Sequence, residues 1–202
     1  MTRIFTSIDY DKNGKQVDWL YLPHSVTRSA YGNILIPICV VKNGSGPTVL
    51  LSAGTHGDEF EGQVVLTRFI REVDPAQVQG RLIILPALNT PAALDSARVS
   101  PIDQGNLARL YPGRENGSIT EQNANYMTQV LFPMADFYQD YHSGGSSLAY
   151  LPFVHTVAPK DPIKRKAVLD ALRAVNPPRA LFNEAESDNR TSLAAARDAG
   201  LV

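Results

Sequence analysis

Leu50-Leu51-Ser52-Ala53-Gly54-Thr55-His56-Gly57-Asp58-Glu59-Phe60-Glu61-Gly62 is an apolar run that opens into a glycine-bounded turn carrying a histidine and a glutamate three residues apart. Thr48 to Ala53 reads as a buried strand, and Gly54 and Gly57 permit a sharp turn directly after it. His56 and Glu59 are therefore expected to leave the C-terminal end of a strand, where open α/β sheets carry their sites. The spacing suits a metal, with a solvated turn as the plain alternative.

Downstream, Val64, Leu66, Phe69, Ile70 and Val73 follow a helical period, and Pro75 ends it by biasing Asp74 away from the helical region. Leu82-Ile83-Ile84-Leu85 is a further apolar strand. Strand, helix and strand in this order predict a right-handed βαβ unit in a largely parallel or mixed sheet. Upstream, Arg3 to Asp9 and Gln16 to Leu22 are β-prone and flank Asp11-Lys12-Asn13-Gly14, which predicts a hairpin. Ile34 to Val41 is a third strand, in which Pro37 points to an edge position or a bulge.

From Pro86 to Gly117 neither period is visible, and a loop of that length in a compact domain usually serves a site. Ser118 and Glu121 have capping-box spacing, so a helix is expected from Ile119 to about Phe132, before Pro133. Ala135 to Tyr141 is expected to be a strand ending at His142. A helix over Pro159 to Val175, a short strand at Arg179 to Asn183 and a helix over Thr191 to Ala199 closed by Gly200 follow. Leu201-Val202 read like the first residues of another strand.

Lys and Arg number 19 against 20 acidic residues in a chain of 202, a balance that gives no reason to expect nucleic acid or an anionic membrane as partner. Small molecules become the default. The single cysteine, Cys39, lies in an apolar run, cannot form an intramolecular disulfide, and fits a reducing compartment. With no signal-like N-terminus and no window long and apolar enough to span a bilayer, the expected location is the cytoplasm.

Two imidazoles and one carboxylate are a common hydrolase zinc set, and His56, Glu59 and His142 supply one if the sheet unites them. His142 has a plainer reading as a hydrogen-bonded strand-end histidine. Asp140 counts against that reading, because residues two apart share a strand face and a carboxylate can orient a metal-bound imidazole. His24 and His155 suit surface or packing roles. In the irregular loop, Arg98 and Arg109 could each bind a carboxylate or polarise a carbonyl, against a plain surface role.

Taken together, Gly54 to Gly62 and Asp140-Tyr141-His142-Ser143-Gly144-Gly145 resemble the two metal motifs of the succinylglutamate desuccinylase and aspartoacylase family. Between them, Asn89-Thr90-Pro91-Ala92-Ala93 and Arg98 to Gly113 resemble that family's substrate loop. The resemblance runs through most of the chain. It implies a zinc carboxypeptidase-like, three-layer α/β/α fold with a mixed, largely parallel sheet. It also implies Zn2+ on His56, Glu59 and His142, with Arg98 polarising the amide carbonyl as the catalytic arginine. Asn106 and Arg109 fall in the substrate-binding loop: Arg109 would grip a carboxylate, and Asn106 stands where the family has an Asp or Asn to hold the first zinc histidine. Ala108 stands where the pattern Asn-Leu-Asn-Arg has its second asparagine.

Val41-Lys42-Asn43-Gly44, Ser100-Pro101-Ile102-Asp103 and His142-Ser143-Gly144-Gly145 look most like the branch that deacetylates N-acetyl-diaminobutyrate. The expected function is thus a zinc-dependent amidohydrolase that removes an N-acyl group, acetyl for preference, from a small amino acid. Residues 1–202 read as its N-terminal zinc-binding catalytic domain. The family's general-base glutamate sits in a Thr-Glu-Leu-Gly type strand that this sequence lacks, as it lacks the C-terminal β-rich portion, so the chain alone is expected to be truncated and impaired. Glu184 and Glu186 are weaker candidates for a base. Two rivals stay open: a noncatalytic zinc-binding module, completed by a partner or by a second copy in a homo-oligomer, and a zinc carboxypeptidase acting on peptides.

Overall fold

In the computed structural model, which describes residues 2–184 and 188–202, one mixed sheet is built from β1 (Gly14–Pro23), β2 (Asn33–Asn43), β3 (Thr48–Ala53), β4 (Gly80–Leu85) and β5 (Phe137–Tyr141). Their order is β1-β2-β4-β3-β5. β1 pairs antiparallel with β2 and β2 antiparallel with β4, whereas β4, β3 and β5 run parallel. Helix α1 (Phe60–Glu72) is the crossover between β3 and β4.

Alternation along the central strands makes both faces apolar. Val40, Leu50 and Ile83 enter one core with Leu20, Ile36, Leu107, Phe132 and Ala196, while Cys39, Val41, Leu51, Ala53 and Ile84 enter a second with Leu66 of α1. Residues one apart point to opposite faces, so helices cover the sheet on both sides. Each fully buried Leu or Ile contributes about 1.5–3 kcal/mol relative to exposure.

The N-terminal hairpin forms with a different partner from the expected one. β1 pairs antiparallel with residues 33–42 of β2, and the segment before it adds one β-bridge, Phe5–Tyr21, with the two rings stacked 5.2 Å apart, and hydrogen bonds from Thr6 and Asp9. β2 offers a longer apolar ladder than Arg3 to Asp9, and Ile4 and Ile8 instead fill the core as side chains. Pro37 faces Trp19 and lies beyond the β4 ladder, which covers Cys39 to Asn43, so its missing N–H interrupts no second ladder.

The segment from Pro86 to Gly117 is not wholly irregular. It contains α2 (Thr90–Asp95) and a 3-10 turn at Leu107–Arg109; Pro91 in the first turn of α2 presets the backbone, and six residues are too few for a period to show. The Ser118 capping box starts α3 (Ile119–Tyr126), which continues through a π turn (Met127–Leu131) and a 3-10 turn (Phe132–Met134) that accommodates Pro133.

Beyond β5 come β6 (Val154–Val157), α4 (Pro162–Val175), β7 (Ala180–Asn183) and α5 (Ser192–Asp198), with β6 and β7 forming a separate parallel pair. β6 has no counterpart in the sequence reading. At the end, Val202 donates to Asp136 O at 3.1 Å and accepts from Tyr138 N at 3.0 Å, the pattern of a parallel partner beside β5. Among the described residues no helix is long and apolar enough to cross a membrane.

Candidate metal centre

β3 and β5 are parallel neighbours with Ala53 opposite Tyr141, so both chains leave the sheet at the same edge. His56 follows β3 by a three-residue turn and His142 follows β5 directly. Gly54 has φ +69°, and Gly57 packs so closely on α2 that a Cβ would lie 2.0 Å from the carbonyl of Ala92. These two positions turn the chain back toward β5. Glu59 is the residue before α1, and its side chain makes no capping bond, which leaves the carboxylate for the site.

The three side chains meet. Glu59 Oε1 lies 2.8 Å from His56 Nδ1, and Oε2 lies 2.8 Å from His142 Nδ1 while accepting the Ser143 N–H at 3.0 Å. One ligand atom from each residue falls within 4.8 Å of the others. The imidazole centroids are 5.2 Å apart. Arg98 Nη1 donates to Glu59 Oε1 at 3.3 Å from an arm that is 57% exposed.

The outer nitrogen of each imidazole is held. His56 Nε2 lies 3.1 Å from Asn106 Oδ1, and His142 Nε2 lies 2.9 Å from Asp140 Oδ2. Asn106 Oδ1 also accepts the Ala108 N–H at 3.1 Å, which fixes the amide so that its oxygen faces the ring. Both Nε2 atoms therefore donate, and both Nδ1 atoms face the Glu59 carboxylate. Two imidazole nitrogens and a carboxylate aimed at one small volume need a shared proton or a cation between them, so the donor set fits a divalent metal of the zinc type.

The electrostatics agree with the geometry. Burial penalises ionised Glu59, but hydrogen bonds from His142, His56 and the Ser143 N–H outweigh that and hold its carboxyl far below the ordinary range. For His142 burial lowers the pKa, yet the Asp140 and Glu59 carboxylates win and raise it to about 10. Asp140 is itself anchored by hydroxyls: Ser52 at 2.7 Å, Thr55 at 3.0 Å and Ser192 at 3.3 Å. Asp58 ties the turn after β3 to the loop after β5 by accepting hydrogen bonds from the N–H and Oγ of Ser146 at 3.2 and 3.3 Å.

Among the residues singled out in the sequence, His56, Glu59, His142, Arg98 and Asn106 are brought together. Arg109 stands apart from them in its bonding: its Nη1 donates to Ala108 O at 2.8 Å and its Nε lies 3.4 Å from Asp188 Oδ2. Glu184 is exposed, and Glu186 lies outside the described residues. The hydroxyls of Ser52, Thr55 and Ser192 escaped the sequence reading. A polar residue inside the apolar run Leu50 to Ala53 was the one available signal for Ser52.

The chain matches, over residues 45–201, the model of the succinylglutamate desuccinylase/aspartoacylase catalytic domain. It is 43% identical over 179 residues to an N-alpha-acetyl-L-2,4-diaminobutyric acid deacetylase of Halomonas elongata, an alignment covering 89% of this chain and 52% of that protein. The solved succinylglutamate desuccinylase of Silicibacter sp. superposes with a TM-score of 0.94 at 40% identity, covering 100% of this chain and 61% of that one. The product-bound ectoine utilization protein EutE (DoeB) of Ruegeria pomeroyi does so with 0.93 at 41%, covering 100% and 62%. The chain thus spans about half the length of the curated relative it matches, and by sequence and fold it belongs to the succinylglutamate desuccinylase/aspartoacylase family.

Proposed function

We propose that residues 1–202 form the zinc-binding catalytic unit of an amidohydrolase that removes an N-acyl group, acetyl for preference, from a small amino acid such as N-acetyl-diaminobutyrate. The observation that carries this reading is the convergence of His56 Nδ1, His142 Nδ1 and the Glu59 carboxylate, with Arg98 Nη1 3.3 Å from Oε1. Similarity to a deacetylase of N-acetyl-diaminobutyrate supports the substrate class.

His56, Glu59 and His142 would hold zinc, which when bound supplies Lewis acidity toward a water and a carbonyl oxygen. Asn106 and Asp140 keep the Nε2 protons in place, so that both imidazoles present Nδ1 lone pairs inward. The half-exposed Arg98 guanidinium, which reaches the site at Glu59 Oε1, would donate to the acyl oxygen as negative charge develops there. Arg109 offers a guanidinium to a substrate carboxylate, which would exchange for the carboxylate of Asp188 one for one.

The test is metal analysis of the purified chain combined with acetate release from N-acetyl-diaminobutyrate, by this chain and by a longer protein that includes it, with and without chelator. One equivalent of zinc and chelator-sensitive release in the longer protein are expected. His56→Ala and His142→Ala should each lose most of the zinc. Full retention in both variants would show that other groups hold the metal, and zinc binding with no hydrolysis of any acylated amino acid would leave a noncatalytic module. Cleavage of peptide C-termini in place of acylated amino acids would make the protein a carboxypeptidase.

A further inference from the structure

Ser192 is buried, 8% exposed, at the first position of α5, yet its hydroxyl is not used to cap that helix. Thr191 does so, accepting the Ala194 N–H at 3.0 Å. The Ser192 hydroxyl instead donates to Asp140 Oδ2 at 3.3 Å, the same oxygen that accepts from His142 Nε2. We infer that Ser192 is a positioning residue for His142, acting through Asp140. The inference rests on the metal reading of His56, Glu59 and His142.

A buried carboxylate stays in one orientation only while donors hold it. Asp140 has donors on both oxygens: Ser52 on Oδ1 at 2.7 Å, Thr55 bridging the two at 3.2 and 3.0 Å, and Ser192 with His142 on Oδ2. Ser52 and Thr55 belong to the stretch that carries His56. Ser192 alone arrives from elsewhere, on a segment that also grips the candidate substrate loop: Arg190 O accepts the Tyr111 N–H at 3.1 Å, and Asp188 pairs with Arg109 at 3.4 Å. The Tyr138 hydroxyl neighbours Ser52 and Ser192 and closes the polar cluster from the β5 side. Ser192 thus completes the set that points Oδ2 at Nε2, which keeps Nδ1 of His142 turned toward Glu59.

Zinc affinity of the full chain, measured by competition with a chelating dye, tests this without reference to hydrolysis. Outer-shell partners of metal histidines are worth about 10- to 100-fold in affinity, and Ser192 acts one step further out, so Ser192→Ala should weaken zinc roughly 3- to 10-fold. Ser192→Thr, which keeps the hydroxyl, should stay within about twofold of the parent. In an Asp140→Asn background, adding Ser192→Ala should change affinity no further, because the link is already cut. A Ser192→Ala protein with parental affinity, or one that loses the same factor in both backgrounds, overturns the positioning role and leaves the metal site standing. A parent chain that takes up no zinc overturns the metal reading, and this role falls with it.

Discussion

Asn106 Oδ1 lies 3.1 Å from Nε2 of His56. The contact joins the turn after β3 to the start of the 3-10 turn Leu107–Arg109, and the same oxygen holds the backbone N–H of Ala108. The amide therefore fixes the orientation of the His56 ring and the start of the 3-10 turn together. His142 receives the matching service from Asp140, a carboxylate where His56 has a neutral amide. The two histidines are consequently held with different strength, His142 under two carboxylates and His56 under one.

Replacing Asn106 by alanine removes the acceptor from His56 Nε2 and leaves that buried N–H unpaired. Zinc affinity of Asn106→Ala should fall about 10-fold or more, whereas Asn106→Asp, which keeps an acceptor oxygen, should bind within a few-fold of the parent. Chelator competition distinguishes the two variants. Equal loss in both would mean that the loop needs the amide NH2 and not the acceptor.

Arg98 reaches the candidate site at Glu59 Oε1, 3.3 Å away, and is not itself a metal-ligating side chain, so its loss should leave metal content unchanged. On the deacylase reading, Arg98→Ala in the hydrolytically active protein should lower kcat by about 10²- to 10³-fold, the scale of removing one oxyanion donor, with zinc still at one equivalent. Loss of zinc in parallel with activity would move Arg98 from carbonyl polarisation to support of Glu59.

How much of this was legible follows from which contacts are local. β3 falls on Thr48–Ala53 as expected, because an apolar run bounded by Gly46-Pro47 and Gly54 has no competing reading. His142 could be placed at a strand end, and Asp140 two residues before it shares its face. The first hairpin differs from the expected one because Arg3 to Asp9 and Ile34 to Val41 are both plausible partners for β1, and only the tertiary core selects between them. β6 is four residues long and includes His155 and Thr156, too short a run for alternation to register. The Asp140 hydroxyls and the Arg109–Asp188 pair are long-range contacts between ordinary polar residues. Neither spacing nor composition marks them.

Gly57 should tolerate no side chain. Its N–H donates to Ala97 O at 2.8 Å while a Cβ would meet the Ala92 carbonyl at 2.0 Å, so the turn and α2 would have to separate. Gly57→Ala should cost about 1–3 kcal/mol, or roughly 2–12 °C in melting temperature. Zinc affinity should fall with it, since α2 leads into Arg98 and His56 precedes Gly57. A variant with parental melting and zinc binding would show that α2 moves aside freely.

Cys39 is fully buried on β2, and burial pushes its thiol up to about 11, with Lys15 offsetting only part of the shift. The thiolate is the reactive species, so the native protein should resist an aromatic disulfide reagent at pH 8, and the thiol should react fully once denaturant has unfolded the chain. The linkage has a definite sign. An unfolded thiol loses its proton near its ordinary value of 9.0, before the folded one does, so the stability from keeping Cys39 neutral is complete below that pH. It should decline as pH rises from 9.0 toward about 11. Cys39→Ala should flatten that alkaline decline while opening a small cavity in the core shared with Val41, Leu66 and Ile84. Denaturant melts of both proteins across this pH range measure the difference; parallel curves would assign the alkaline loss to other groups, and rapid labelling of the native thiol at pH 8 would show that β2 opens to solvent.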